Sequence, residues 1–148
     1  SDIEPLGYAT LPGHEVVFHK CGYRDGSGKC GLLAGPDDAI AHGVVFRINA
    51  GQLPLLDEIE GVGHGYLRGE VTAKHETLGA LPCVTYVATD LDTSLRPYHW
   101  YCQHVIVGAS EHGLPVSYLD QLRALPSIDD PDSQRHAREL AIYASNCA

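Results

Sequence analysis

The order of periodic segments predicts an α+β fold. Period-two apolar runs recur up to residue 90, a helical period takes over from Pro97 onward, and a single short helical segment interrupts the strands. That order differs from the strand–helix alternation of a doubly wound parallel sheet. A length of 148 residues suits one compact domain. Residues 1–148 are therefore read as a single domain, with 127–148 a peripheral C-terminal helix or tail.

The elements follow in order. Residues 8–20 (YATLPGHEVVFHK) alternate around Val16 and Phe18, with Pro12-Gly13 as a turn, and read as strand. Residues 22–31 (GYRDGSGKCG) read as a turn or loop because glycines crowd them. GVVFRI at 43–48 is β-branched and aromatic, hence a strand. Residues 51–60 place Leu53, Leu56 and Ile59 at helical spacing, with Pro54 in the first turn and Gly61 suited to the position after the last. YLRGEVTAKH at 66–75 alternates, with Arg68, Glu70, Thr72 and Lys74 on one face, and 82–90 is a further strand. Two helices follow, one from Pro97 to Gly113 with Tyr98, Tyr101 and Val105 on a face, the next from Pro115 with Tyr118, Leu119, Leu122 and Leu125 on a face. The tail from Asp130-Pro131 has a capping Asp and a weakly apolar helical pattern, which places it on the surface.

Composition excludes some function classes. Lys and Arg total 10 against 19 Asp and Glu, a net charge of −9 at pH 7, and the basic residues are scattered. Nucleic acid and anionic membrane both require clustered cations, so neither is expected as a partner. The five cysteines are odd in number and form no Cys-x-x-Cys pair, which argues against a zinc ribbon or a secreted disulfide frame. Cys83 and Cys102 read as small core residues, while Cys21 and Cys30 flank the Gly-rich turn. No signal peptide is expected, and no apolar run near 18 residues occurs. A reduced, cytoplasmic chain is the expectation. With Met 0 in the composition, Ser1 is not expected to be the start of the natural gene.

Several motifs fail on inspection. HEVVFH (14–19) has one residue too many for a zinc-binding His-Glu-x-x-His, and on a strand its two His face opposite sides. GSGKC (26–30) lacks the first Gly of a phosphate loop and has Cys30 in place of Ser/Thr. The segment LLDEIEGVGHGY (55–66) is different, because three carboxylates end a short helix. Asp57 and Glu60 share a face, and an acid in the last helical turn meets the negative end of the macrodipole. Both effects push the pKa of one acid upward and suit it to general base chemistry. A solvated acidic helix end is the competing reading. A metal site of Asp57, Glu60 and His64 is a more distant one.

GVVFRI, then LPLLDEIEGVGHGY, the strand pair through TYVATD, and PYHWYCQHVIVGASEHGLPVSYLDQLRAL together resemble the γ-glutamylcyclotransferase-like family. The Asp-Glu-x-Glu-Gly-Val block and the Gly-Leu-Pro block of GASEHGLP (108–115) occur in that family's order and spacing. PGHEVVFHKCGYRDGSGKCG looks like its bacterial members. The likeness covers residues 6–125.

The resemblance implies a small mixed β-barrel flanked by helices. It also implies an intramolecular acyl transfer that converts a γ-glutamyl amine or dipeptide to 5-oxoproline plus the free amine or amino acid, with no metal or organic cofactor. By position, Glu60 matches the family's general acid/base. Gly61, Tyr66, Tyr86 and Tyr101 match residues that line the γ-glutamyl site. By residue type alone each tyrosine is equally an ordinary half-buried one, and Asp57 shapes the helix end. The family's N-terminal Tyr-Gly-Ser-Asn element, whose backbone amides cradle the γ-glutamyl group, is not in this sequence. Either it lies upstream of Ser1 or this is a member without it. In the second case an open sheet edge invites a homo-oligomer, and a non-catalytic small-molecule-binding or assembly module is the alternative function.

Overall fold

A computed structural model of the chain describes residues 3–22, 24–60 and 66–143, with Glu60 in its backbone only. Strands β1 (Glu4–Pro12), β2 (His14–Cys21), β3 (Gly28–Ala34), β4 (Ile40–Arg47), β5 (Tyr66–His75) and β6 (Gly79–Ala88) form one mixed sheet in the order β2-β3-β6-β5-β1-β4. Helix α1 (Leu53–Glu60) lies between β4 and β5, after a 3₁₀ turn at Ala50–Gln52 that Asn49 caps through the Gly51 N–H. Helices α2 (His99–Glu111), α3 (Val116–Arg123) and α4 (Ser133–Ala141) follow the sheet. The fold is α+β, and the sheet curls until its edge strands β2 and β4 approach one another, a half-barrel with helices beside it.

Pairing is uneven. β5 and β6 form a continuous antiparallel ladder from Tyr66↔Ala88 to His75↔Gly79, and β1–β4 and β2–β3 are also long antiparallel ladders. By contrast β1 meets β5 only at Ala9↔His75 and Thr10↔Lys74, and β3 meets β6 in parallel only at Leu32↔Val87.

The core forms where α2 and α3 cover the sheet. Phe18 of β2 packs with Ile106, Ala109, Leu114, Leu119 and Leu122, and Tyr8, Cys30, Val44, Tyr101 and Tyr118 close around them. On α3 the expected Leu119 and Leu122 are the residues that pack, whereas on α2 the core residues are Ile106 and Ala109, with the expected Tyr101 and Val105 half-buried beside them and Tyr98 at the N-cap, outside the helix. Gly113 takes the left-handed φ of +71°, which ends α2 after its Cβ-bearing residues.

Two expectations are corrected. Residues 28–31 belong to strand β3 rather than to a turn or loop. The glycines there permit close packing: a Cβ on Gly28 would lie 2.2 Å from the Phe18 carbonyl oxygen, and one on Gly31 would lie 2.7 Å from the Ala88 Cβ. They read as loop punctuation in sequence because strand glycines are otherwise uncommon. The helix-capping Asp of the tail is Asp132, whose side chain accepts the Gln134 and Arg135 N–H groups. Asp130 is instead buried, taking the Trp100 indole N–H at 2.9 Å and a two-pronged contact from Arg135. Helix α4 has no buried residue, and this contact and the His104 bonds to Glu139 and Tyr143 tie the tail to α2.

Candidate functional site

The tyrosines matched by resemblance divide into two groups. Tyr66 opens β5, and its hydroxyl donates to the Cys30 carbonyl at 3.4 Å. Tyr101, one turn into α2, accepts the Cys30 N–H on its hydroxyl oxygen at 2.9 Å. Two phenols from different elements therefore meet on one residue of β3. Among the described residues, no acceptor takes the Tyr101 O–H proton. Burial raises the Tyr101 phenol well above its ordinary value, and burial pushes Tyr118, in the same cluster, up to about 12. Both remain protonated donors at any working pH. Burial also pushes the Cys30 thiol up to about 11, so it is no nucleophile.

Tyr86 lies apart from this pair. Its hydroxyl donates to Asp57 Oδ1 at 2.6 Å, while Arg68 Nη1 reaches Asp57 Oδ2 at 2.6 Å. Asp57 thus ties α1 to strands β5 and β6. The backbone of α1 runs through Glu60. The Glu60 side chain, Gly61 and His64 lie outside the described residues. Among the described residues no cluster of His, Cys, Asp and Glu is placed to hold a metal.

Lys20 was not marked out in sequence. It is 5% exposed, and its ammonium lies 5.6 Å from the centroid of the Tyr66 ring. A signal was present: Val16, Phe18 and Lys20 alternate along β2, so a lysine occupies a position that the pattern assigns to the interior. Residue type points the other way, because lysine is almost never fully buried unless it is paired.

Lys29 has a different environment. Its ammonium stands 4.8 Å from the Tyr101 ring, 5.1 Å from Trp100 and 5.7 Å from Tyr98, and it is paired with Asp25 at 3.2 Å. The GSGKC segment uses its lysine to fasten the β2–β3 turn onto α2. His14 and His19 bond the separate carbonyls of Pro12 and Leu95. Cys21 and Cys30 are both free thiols.

A broad apolar trough of about 860 Å³ runs along the sheet, lined in part by Leu6, Val16, Leu32, Val44, Leu53 and Tyr86. Tyr66 and Tyr101 do not line it. The polar chemistry therefore gathers around Cys30, and the trough is predominantly aliphatic. No helix is long and apolar enough among the described residues to cross a membrane.

Comparison with known proteins agrees with this architecture. The AIG2-like family model matches residues 41–122. The γ-glutamylcyclotransferase of Homo sapiens is 33% identical over 99 residues, covering 66% of this chain and 52% of its own. The chain thus spans about half the length of the curated relatives it matches. A solved structure of a γ-glutamyl cyclotransferase superposes with a TM-score of 0.78 at 26% identity, covering 87% of this chain and 78% of that one. The crystal structure of the Homo sapiens protein loc79017 superposes with a TM-score of 0.77 at 27% identity, covering 86% of this chain and 78% of that one. Sheet order, helix placement and the matched segment together lead to one assignment: the chain belongs to the AIG2-like family and has the γ-glutamylcyclotransferase-like fold.

Proposed function

We propose that the protein is a γ-glutamylcyclotransferase-type enzyme with Glu60 as general acid/base. The observation that carries this reading is the convergence of Tyr66 and Tyr101 on Cys30, beside the buried cation of Lys20. A γ-glutamyl group has an α-ammonium, an α-carboxylate and a γ-carbonyl. The Glu60 carboxylate takes a proton from the α-ammonium, and the freed amine attacks the γ-carbonyl carbon. The new C–N bond closes a five-membered ring, and the carbonyl π electrons move to oxygen. As the carbonyl re-forms, the bond to the departing nitrogen breaks and that nitrogen takes the proton from Glu60, while the ring nitrogen gives its second proton to the freed Glu60 carboxylate, which passes it to the released amine or to water. The products are 5-oxoproline and a free amine or amino acid.

The nucleophile and electrophile belong to one molecule, so the chief task of the site is to hold a near-attack geometry. The Tyr101 O–H is a preorganised donor for the developing oxyanion. Lys20 supplies positive potential for the α-carboxylate, and Tyr66 lines the same site. Substrate class narrows only to small γ-glutamyl amines and dipeptides. The test is to incubate the protein with γ-glutamyl amino acids and γ-glutamyl amines and follow 5-oxoproline by mass spectrometry. Wild type should form it, and Glu60→Gln should be slower by on the order of 10²–10⁴-fold. Binding without product in wild type, or equal rates in both proteins, overturns the proposal and favours a binding module.

A further inference from the structure

Asp57 is gripped by a matched pair. Arg68 of β5 and Tyr86 of β6 stand directly opposite each other in the ladder, so their side chains leave the same face of the hairpin. Each takes one oxygen of the Asp57 carboxylate at 2.6 Å. The contact is specific in geometry, because the two oxygens are divided between two strands. It is also half-buried, with the Asp57 side chain 26% exposed and that of Arg68 41% exposed. A carboxylate in the last turns of a helix is disfavoured by the macrodipole, and Arg68 and Tyr86 offset that cost. They hold the C-terminal end of α1 against the β5–β6 hairpin.

Glu60 follows Asp57 by three residues, which places both on one side of α1. We propose that Asp57, Arg68 and Tyr86 form a positioning clamp that fixes the end of α1, and through it the reach of Glu60. This rests on the acid/base reading of Glu60. Tyr86 then acts through the helix rather than by touching substrate. Arg68 is the part that residue type and resemblance did not single out, and its cross-strand partner gives it a defined job. Displacing a catalytic group by about 1 Å costs on the order of 10²-fold in rate, so a clamp on the helix that carries the acid should register in kcat.

The test combines kinetics with hydrogen exchange. Asp57→Asn, Arg68→Gln and Tyr86→Phe should each lower kcat about 10- to 100-fold with little change in KM. Arg68→Lys should recover part of the loss. In a Glu60→Gln background the same three substitutions should cause no further loss, because the clamp works through Glu60. Equal losses in both backgrounds, or a raised KM with kcat unchanged, overturn the proposal and return Tyr86 to substrate contact. Amide exchange decides the clamp separately from catalysis: exchange in α1 should accelerate in Asp57→Asn while the core of α2 keeps its protection. Unchanged α1 exchange overturns the clamp even in an active enzyme. Absence of 5-oxoproline from wild type overturns the acid/base reading, and with it the proposed action through Glu60, whatever α1 does.

Discussion

The Tyr101 hydroxyl accepts the Cys30 N–H across 71 residues of sequence at 2.9 Å. The contact joins helix α2 to a strand whose ladder to β6 is a single pair. A buried amide that loses its partner costs about 1–3 kcal/mol. Tyr101→Phe should therefore lower unfolding free energy by that amount, measured by urea denaturation. Tyr66→Phe should cost less, because its bond to the Cys30 carbonyl is longer, at 3.4 Å. If the two variants match wild type in stability, the phenols do not brace β3.

The proposed role of Lys20 separates binding from chemistry. Lys20→Met keeps the length of the side chain and removes the charge at an interior position, so the fold should persist. KM for γ-glutamyl substrates should rise about tenfold or more, the size expected for losing one charge-assisted contact. The rise should be smaller for a substrate whose α-carboxylate is amidated. Steady-state kinetics on the substrate pair checks this, and equal KM changes on both would remove Lys20 from carboxylate recognition.

Thiol chemistry should divide the cysteines. Cys21 is exposed, whereas burial holds the Cys30 thiol up at about 11. At pH 8 an aromatic disulfide reagent should modify Cys21 within minutes and leave Cys30 untouched until denaturant is added. Peptide mapping after labelling reads the result. Rapid labelling of Cys30 in the folded protein would contradict its setting among Tyr66, Tyr101 and Tyr118.

Acid should expose the contribution of Asp130. The Arg135 guanidinium holds its carboxyl well below the usual carboxylate range, helped by the Asp132 N–H and the Trp100 indole. Its folded pKa lies below the unfolded value of about 3.9, so its stabilisation is complete above that pH and is lost as pH falls further toward the folded value. Asp130→Asn should be less stable than wild type at pH 7, and the gap should narrow below about pH 4. Urea midpoints across pH measure the gap. A constant difference would mean that the ionic contact contributes nothing.

Much of the architecture was legible because periodicity is a direct imprint of burial. The alternation of YLRGEVTAKH matches β5, and Leu119 and Leu122 of the face expected on α3 are those that meet Phe18, while on α2 the packed face is turned toward Ile106 and Ala109. Strand β3 carries a different imprint. Gly28 and Gly31 are small because Phe18 and Ala88 lie against them, and sequence alone does not distinguish a glycine that turns the chain from one that makes room. Asp130 illustrates the same limit: a neighbour at Pro131 made it look like a cap, but its partners Trp100 and Arg135 are brought to it only by the packing of the tail on α2. Within the candidate site, spacing placed Asp57 and Glu60 on one face, but the strand-to-strand partnership of Arg68 and Tyr86 depends on a register that the chain acquires only when the hairpin closes.

The short seams at Leu32↔Val87 and at Ala9↔His75 and Thr10↔Lys74 divide the sheet into three two-stranded ribbons. Two of these, β2–β3 and β5–β6, join neighbours in sequence and can zip early, whereas β1–β4 must close a longer loop. Tyr66 reaches from one early ribbon to the other at Cys30, and Tyr101 ties the helical layer to the same point. The phenols proposed to face substrate are therefore also the sutures of the assembled sheet, so selection for a new leaving group at these residues must trade against the cohesion of the whole molecule.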